Sequence, residues 1–147
     1  MLNIIDVHKT FNKGTVNEKK ALDGIDLHLN PGDFVTVIGG NGAGKSTMLN
    51  MIAGVYPIDQ GTILLDGKDI SDLPEHKRAY MLGRVFQDPM MGTAAGMEIQ
   101  ENMAMAHRRG KNRGLRWGIT KSEKQLYKEK LAMLDLGLED RLTSKVD

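Results

Sequence analysis

Cysteine is absent from this 147-residue chain. That excludes disulfides, thiolate metal ligands and thiol chemistry, and it suits a reducing compartment. Aromatic residues are scarce at 5%, so a phenylalanine in a polar loop invites a question about what it stacks against. An excess of either charge is also missing: 20 basic residues stand against 19 acidic ones, for a net charge of +1. This balance argues against a bulk nucleic-acid binder. No apolar run approaches the roughly 20 residues needed to cross a bilayer. The opening Met1-Leu2-Asn3-Ile4-Ile5-Asp6 lacks the charged segment and long apolar stretch of a secretory signal. Activity at a membrane would therefore require docking on another subunit. The four histidines show no ligand spacing, and no internal repeat or low-complexity segment is evident. What remains is 40% hydrophobic and 27% charged, an ordinary globular mixture of one domain's length.

Hydrophobic periodicity divides the chain into elements. Ile4, Ile5 and Val7 read as a first strand, residues 11–20 as a polar loop, and Leu22, Ile25, Leu27 and Leu29 as a second strand. Asn30-Pro31-Gly32-Asp33 is a turn. The run Phe34-Val35-Thr36-Val37-Ile38 reads as a strand buried on both faces. A glycine-dense loop follows, then a helix over residues 45–53 with Met48, Leu49 and Ile52 on one side, Gly54 at its end and Pro57 barring extension. Residues 61–66 read as a strand turned by Asp66-Gly67, residues 74–80 as a short helix, residues 82–86 as a short strand, and residues 97–106 as a helix. In the last helix Thr120 and Glu123 have capping-box spacing. Tyr127, Leu131, Leu134 and Leu138 recur at helical spacing there, with Gly137 as the stop.

The strongest chemical signal is Gly39-Gly40-Asn41-Gly42-Ala43-Gly44-Lys45-Ser46, which satisfies G-x-x-x-x-G-K-[ST] at every fixed position. Glycines allow positive φ and close approach, so that successive N–H groups form a concave nest for a phosphate chain. The following helix adds its own unpaired N–H groups and the positive end of its dipole. Lys45 is placed to reach the β- and γ-phosphates, Ser46 to offer its hydroxyl to Mg²⁺, and Thr47 to contact the α-phosphate. A glycine-rich turn that binds nothing would not need Lys-Ser between a buried-type strand and an apolar-faced helix. No G-x-G-x-x-G can be laid on these glycines, because the third position falls on Lys45 or Thr47.

A P-loop alone does not say which machine it serves. Asn41-Gly42-Ala43-Gly44-Lys45-Ser46-Thr47 is followed by Met48-Leu49, Ile52-Ala53-Gly54, Gly61-Thr62-Ile63 and Asp66-Gly67-Lys68-Asp69-Ile70. Val85-Phe86-Gln87-Asp88-Pro89 and Glu101-Asn102 come later. This ordered series, spread over nearly the whole chain from Leu2 onward, resembles the ATP-binding subunits of ABC transporters, most like bacterial importer-type subunits. The resemblance implies an α/β fold of the P-loop NTPase type. Residues 1–147 then form one partial ATP-binding domain: a mixed core sheet around the P-loop helix and an antiparallel β part, together about residues 1–88, and a helical subdomain over about residues 89–147. It implies ATP and Mg²⁺ as cofactors and makes Gln87 the Q-loop glutamine, touching Mg²⁺ or the attacking water and sensing the membrane subunit. It places Phe11 where an aromatic stacks on adenine, although a packing role for Phe11 stays open. It further implies transmembrane permease subunits and a second ATPase subunit in a head-to-tail dimer as partners, no nucleic acid, and a peripheral position at the cytoplasmic face of the cell membrane. Alternatives kept open are a soluble ABC ATPase working on nucleic acid or ribosomes, and a non-hydrolysing nucleotide sensor.

The same resemblance exposes gaps. No L-S-G-G-Q-like signature, no apolar strand ending in Asp-Glu and no later switch histidine occur here. Ile63-Leu64-Leu65-Asp66 mimics the acidic strand, but Gly67 follows, and its place before Gln87 marks it as part of the antiparallel β region. The expectation is a C-terminally truncated cassette that is inactive in hydrolysis by itself. Residues 107–130 carry nine basic and two acidic residues, readable as a contact for anionic lipid or an acidic partner and more simply as a solvated face. Met90, Met91, Met97, Met103 and Met105 cluster after Gln87, where adaptable side chains suit either a docking surface or a core.

Overall fold

The computed structural model describes residues 1–111 and 118–146. It divides into two compact units, Met1–Leu82 and Gly83–Asp147.

The first unit is built on a four-stranded sheet of order β2-β1-β3-β4. Its strands are β1 (Leu2–Phe11), β2 (Lys19–Leu29), β3 (Gln60–Leu65) and β4 (Lys68–Asp69). Every pairing is antiparallel; Leu2 faces Leu29 on one side and Leu65 on the other. The β1 ladder is interrupted between Ile4 and Val7, where Asp6 takes φ 47°. This bulge explains why Ile4 and Val7, three positions apart, are both buried, against the two-residue alternation of a regular strand. Gly61 (φ +97°) opposes it, and a Cβ there would stand 2.3 Å from the Asp6 carbonyl oxygen; only glycine fits. The Ile63-Leu64-Leu65-Asp66 segment thus lies in the antiparallel part, as its Asp-Gly turn implied.

Helix α1 (Lys45–Ala53) packs on this sheet through Met48 and Met51, which join Ile4, Val7, Leu22, Ile63 and Ile70 in one core. Each such side chain contributes about 1.5–3 kcal/mol by leaving water. Leu49, expected on the inner side, is 54% exposed; Met51 takes the inner position, because the 48–51–52 spacing keeps to one helix face. Helix α2 (Glu75–Arg78) follows Pro74.

Two expected strands are not formed. Residues 34–38 run without ladder partners, leaving Phe34 92% and Ile38 91% exposed, and residues 82–86 also lack strand pairing, with Val85 exposed. Residues 34–38 are an apolar run of the kind that lies in the middle of a parallel sheet. A strand's N–H and C=O groups need neighbours on both edges, and no strand lies beside either run among the described residues. The expected mixed sheet is accordingly represented here by its antiparallel part alone.

The second unit contains helices α3 (Ile99–His107) and α4 (Lys121–Ala132) and two 3₁₀ turns, Pro89–Gly92 and Leu138–Asp140. Its core is Ala104, Tyr127, Leu131 and Leu142. The capping box at α4 is present: Thr120 Oγ1 accepts from the Glu123 amide at 3.2 Å, and Glu123 Oε2 accepts from the Thr120 amide at 2.8 Å. Glu123 also holds Arg108 with two bonds of 2.9 and 2.8 Å, joining α3 to α4. Helix α4 ends at Ala132, earlier than Gly137. Asp135 turns the chain with φ 53°, so Leu134 is exposed and Gly137 instead precedes the second 3₁₀ turn. Among the described residues, no helix is long and apolar enough to cross a membrane.

Candidate phosphate-binding site

The glycine loop leads directly into α1. Gly42 and Gly44 take φ +83° and +88°, a conformation that glycine alone adopts freely. At Gly44 a side chain is also excluded by space, since a Cβ would stand 2.6 Å from the Ala21 carbonyl oxygen and 2.8 Å from Leu22 Cδ2. The loop is therefore held against β2 by backbone contact. No side chain caps the N-terminus of α1. A helix start left open to solvent, with a left-handed glycine turning the chain into it, presents unpaired N–H groups and a positive dipole end to an incoming anion. The loop residues Gly39, Gly40, Asn41, Gly42 and Ala43 are exposed, as is Ser46; Gly44, Lys45 and Thr47 are half-buried.

Lys45 folds back across the loop, its Nζ donating to the carbonyls of Gly39 at 2.6 Å and Gly40 at 2.8 Å. Both bonds are to neutral carbonyls, which a phosphate oxygen would outbid as an acceptor. The donor set fits a nucleoside phosphate: amide N–H groups, one ammonium and the exposed Ser46 hydroxyl at the first turn of α1. The Ser46 hydroxyl is exposed at the first turn of α1, and among the described residues no cluster of His, Asp and Glu forms a metal cage.

Phe11 ends β1. Its ring packs edge-on against Tyr56 with centroids 5.3 Å apart, and Lys9 Nζ lies 5.7 Å from its centroid. Asp59 fixes this corner by accepting from Lys9 Nζ at 2.7 Å and from the Thr10 amide at 2.6 Å. The Lys9 hydrogen bond is the main reason the Asp59 carboxyl titrates below its usual range. Phe11 is also the cross-strand partner of Lys19, whose Nζ lies 3.6 Å from where a Cβ on Gly42 would stand. The structure thus brings Phe11 and the glycine loop to neighbouring places through a lysine that periodicity and motif did not single out.

Gln87 belongs to the second unit and is exposed, just before a 3₁₀ turn in which Asp88 accepts from the Met90 amide at 2.9 Å. Asn102, noted only as part of Glu101-Asn102, clamps the segment after that turn. Its side chain accepts from the Ala94 amide at 2.8 Å and donates to the carbonyls of Ala94 and Glu98, both at 3.1 Å. Met90 and Met91 are exposed, whereas Met103 packs against the helical core. Of the basic segment, Arg109, Lys111, Lys121, Lys124, Lys128 and Lys130 are exposed, while Arg113 and Arg116 lie outside the described residues.

Comparison with known proteins gives a consistent result. The ABC transporter family profile matches residues 22–146. A tyrosine transport ATP-binding protein of Clostridioides difficile is 39% identical over 111 residues, covering 76% of this chain and 44% of that protein. A spermidine/putrescine import ATP-binding protein of Mesomycoplasma hyopneumoniae is 41% identical over 88 residues, covering 60% of this chain and 18% of that one. Among solved structures, a dimeric ATP-binding cassette in a post-hydrolysis state with ADP and Pi bound superposes with a TM-score of 0.77 at 28% identity. The match covers 99% of this chain and 61% of that cassette. The chain spans less than half the length of these two curated relatives.

Proposed function

This chain belongs to the ABC transporter family of ATP-binding proteins, and on that premise we propose that it supplies the nucleotide-binding half-site of a transport ATPase. The single observation that carries the reading is the uncapped N-terminus of α1 behind Gly44, with Lys45 lying across the loop mouth. The amide N–H groups of the loop and the first turn of α1 receive the phosphate chain, Lys45 exchanges its two carbonyl partners for phosphate oxygens, and Ser46 holds Mg²⁺. When bound, the nucleotide supplies the transferable phosphoryl group. Phe11 offers its ring to the base, and Gln87 responds to Mg²⁺ or water and to the membrane partner.

In the intact protein this half-site closes against a second ATPase subunit, and ATP binding and hydrolysis drive transmembrane permease subunits from the cytoplasmic face. The transport and import names of the relatives and the dimeric cassette support that reading. By itself the 147-residue chain binds Mg²⁺-ATP without steady turnover, since phosphoryl transfer needs an orienting acid and full charge neutralisation that its sequence does not offer. Calorimetric titration of Mg²⁺-ATP, with Lys45→Ala alongside, tests the proposal. Binding that the variant loses is expected, and binding of equal strength by both forms would overturn it.

A further inference from the structure

The antiparallel pair β1–β2 carries three lysines, and two of them are committed to carboxylates. Lys9 Nζ meets Asp59 at 2.7 Å, and Lys20 Nζ meets Asp23 at 3.3 Å. Lys19 differs. It is exposed and has no ion pair among the described residues, and its ammonium stands 3.6 Å from the Cβ position of Gly42. This placement follows from backbone packing. The Ala21 carbonyl and the Leu22 side chain press on Gly44, so the start of β2 runs alongside the glycine loop and brings Lys19 level with Gly42, two residues earlier. On its other side Lys19 is the cross-strand partner of Phe11.

We propose that Lys19 is a second cationic contact for the phosphate chain of a bound nucleoside di- or triphosphate, at the end of that chain nearer the base. The proposal rests on the nucleotide-site reading above. The chemistry is that of a point charge on a flexible stem: an ammonium with three rotatable donors, needing no fixed fork geometry. Lys45 approaches the loop from the helix side, bonded to Gly39 and Gly40. Lys19 approaches from the strand side at Gly42. Together they place positive charge on two sides of a nest that otherwise offers only partial charges from N–H groups. Because Lys19 is exposed, its effect is screened by salt, and its replacement leaves the core untouched.

The test is calorimetric titration of Mg²⁺-ATP and Mg²⁺-ADP into the unmodified chain, Lys19→Ala, Lys19→Arg and Lys45→Ala, at low and high ionic strength. Lys20→Ala, on the adjacent residue that faces Asp23, serves as the control. Lys19→Ala is expected to weaken binding of both nucleotides by about fivefold at low ionic strength, with the difference shrinking at high ionic strength. Lys19→Arg and Lys20→Ala should stay within about twofold of the unmodified chain. Binding that Lys45→Ala abolishes but Lys19→Ala leaves intact at low ionic strength overturns the role of Lys19 alone. A Lys19→Ala loss that is the same at every ionic strength overturns it too. No binding by the unmodified chain overturns the nucleotide-site reading itself, and this proposal with it.

Discussion

Arg78 closes the far end of the P-loop helix: its Nη1 donates to the Met51 carbonyl at 2.8 Å, across 27 positions of sequence. The same nitrogen reaches Ile52 at 3.0 Å, Nε donates to Leu73 at 2.6 Å, and Nη2 donates to Ser71 at 2.8 Å. Helix α1 has no basic residue in its own last turn; the guanidinium supplies both the missing donors and the positive charge that a helix C-terminus favours. The side chain is buried, and the loss of water lowers its pKa from the usual arginine value. Arg78→Met should cost about 2–4 kcal/mol, because it leaves buried carbonyls without donors. Urea unfolding followed by circular dichroism measures this, and an unchanged midpoint would remove Arg78 from the account of α1.

Gly44→Ala tests the packing of the loop on β2. The added Cβ meets Ala21 O and Leu22 Cδ2 well inside contact distance, at a φ of +88°. A loss of about 1–3 kcal/mol is expected from the strained conformation and the overlap, together with loss of Mg²⁺-ATP binding. An alanine variant as stable and as tightly binding as the parent would contradict the loop geometry.

The pH dependence of the helical unit follows from Glu123. Its pKa is lowered from 4.5 to about 2, first by the hydrogen bond from Arg108 and then by the Thr120 amide. A carboxyl whose folded-state pKa is depressed stabilises the fold above its unfolded value and loses that contribution as the proton binds. Helical signal from α3 and α4 should therefore become less stable as pH falls from about 4.5 toward 2. Glu123→Gln should be less stable at neutral pH and nearly flat across that window. Thermal melts of both forms at several pH values decide this, and parallel curves would show that the Arg108 pair contributes nothing.

Phe11→Ala separates the two roles open to that ring. If it carries the base, affinity for Mg²⁺-ATP should drop by roughly 1–3 kcal/mol, the range for a base on an aromatic side chain. If it serves only to pack against Tyr56, melting temperature should fall with affinity unchanged in the folded protein.

Ile38→Thr distinguishes the observed state of residues 34–38 from the strand their composition implies. In a buried central strand the change would cost several kcal/mol. For a side chain 91% exposed it should alter stability of this chain by under about 0.5 kcal/mol. Size-exclusion chromatography should at the same time report less self-association, since exposed apolar runs with free backbone groups invite edge pairing.

Much of this protein was legible in its residues, for a local reason. Gly44-Lys45-Ser46 demands an uncapped helix start because only glycine takes that φ. Thr120 and Glu123 cap α4 because their reach spans one turn. Asp66-Gly67 turns β3 because those residues tolerate positive φ. Each depends on a few neighbouring positions, so sequence alone determined the glycine turn into α1, the starts of α1 and α4 and the turn after β3. The tertiary structure decided what depends on partners distant in sequence. Residues 34–38 have the composition of a central strand, but a strand exists only where another chain segment pairs with it, and none does among the described residues. Nothing local to the short helix at residues 74–80 marks Arg78, and only folding buries it against the carbonyls of Met51 and Ile52. Lys19 is one of two adjacent lysines that sequence cannot tell apart. Lys20 pairs with Asp23 three residues on, and the packing of Ala21 and Leu22 on Gly44 sets Lys19 beside Gly42.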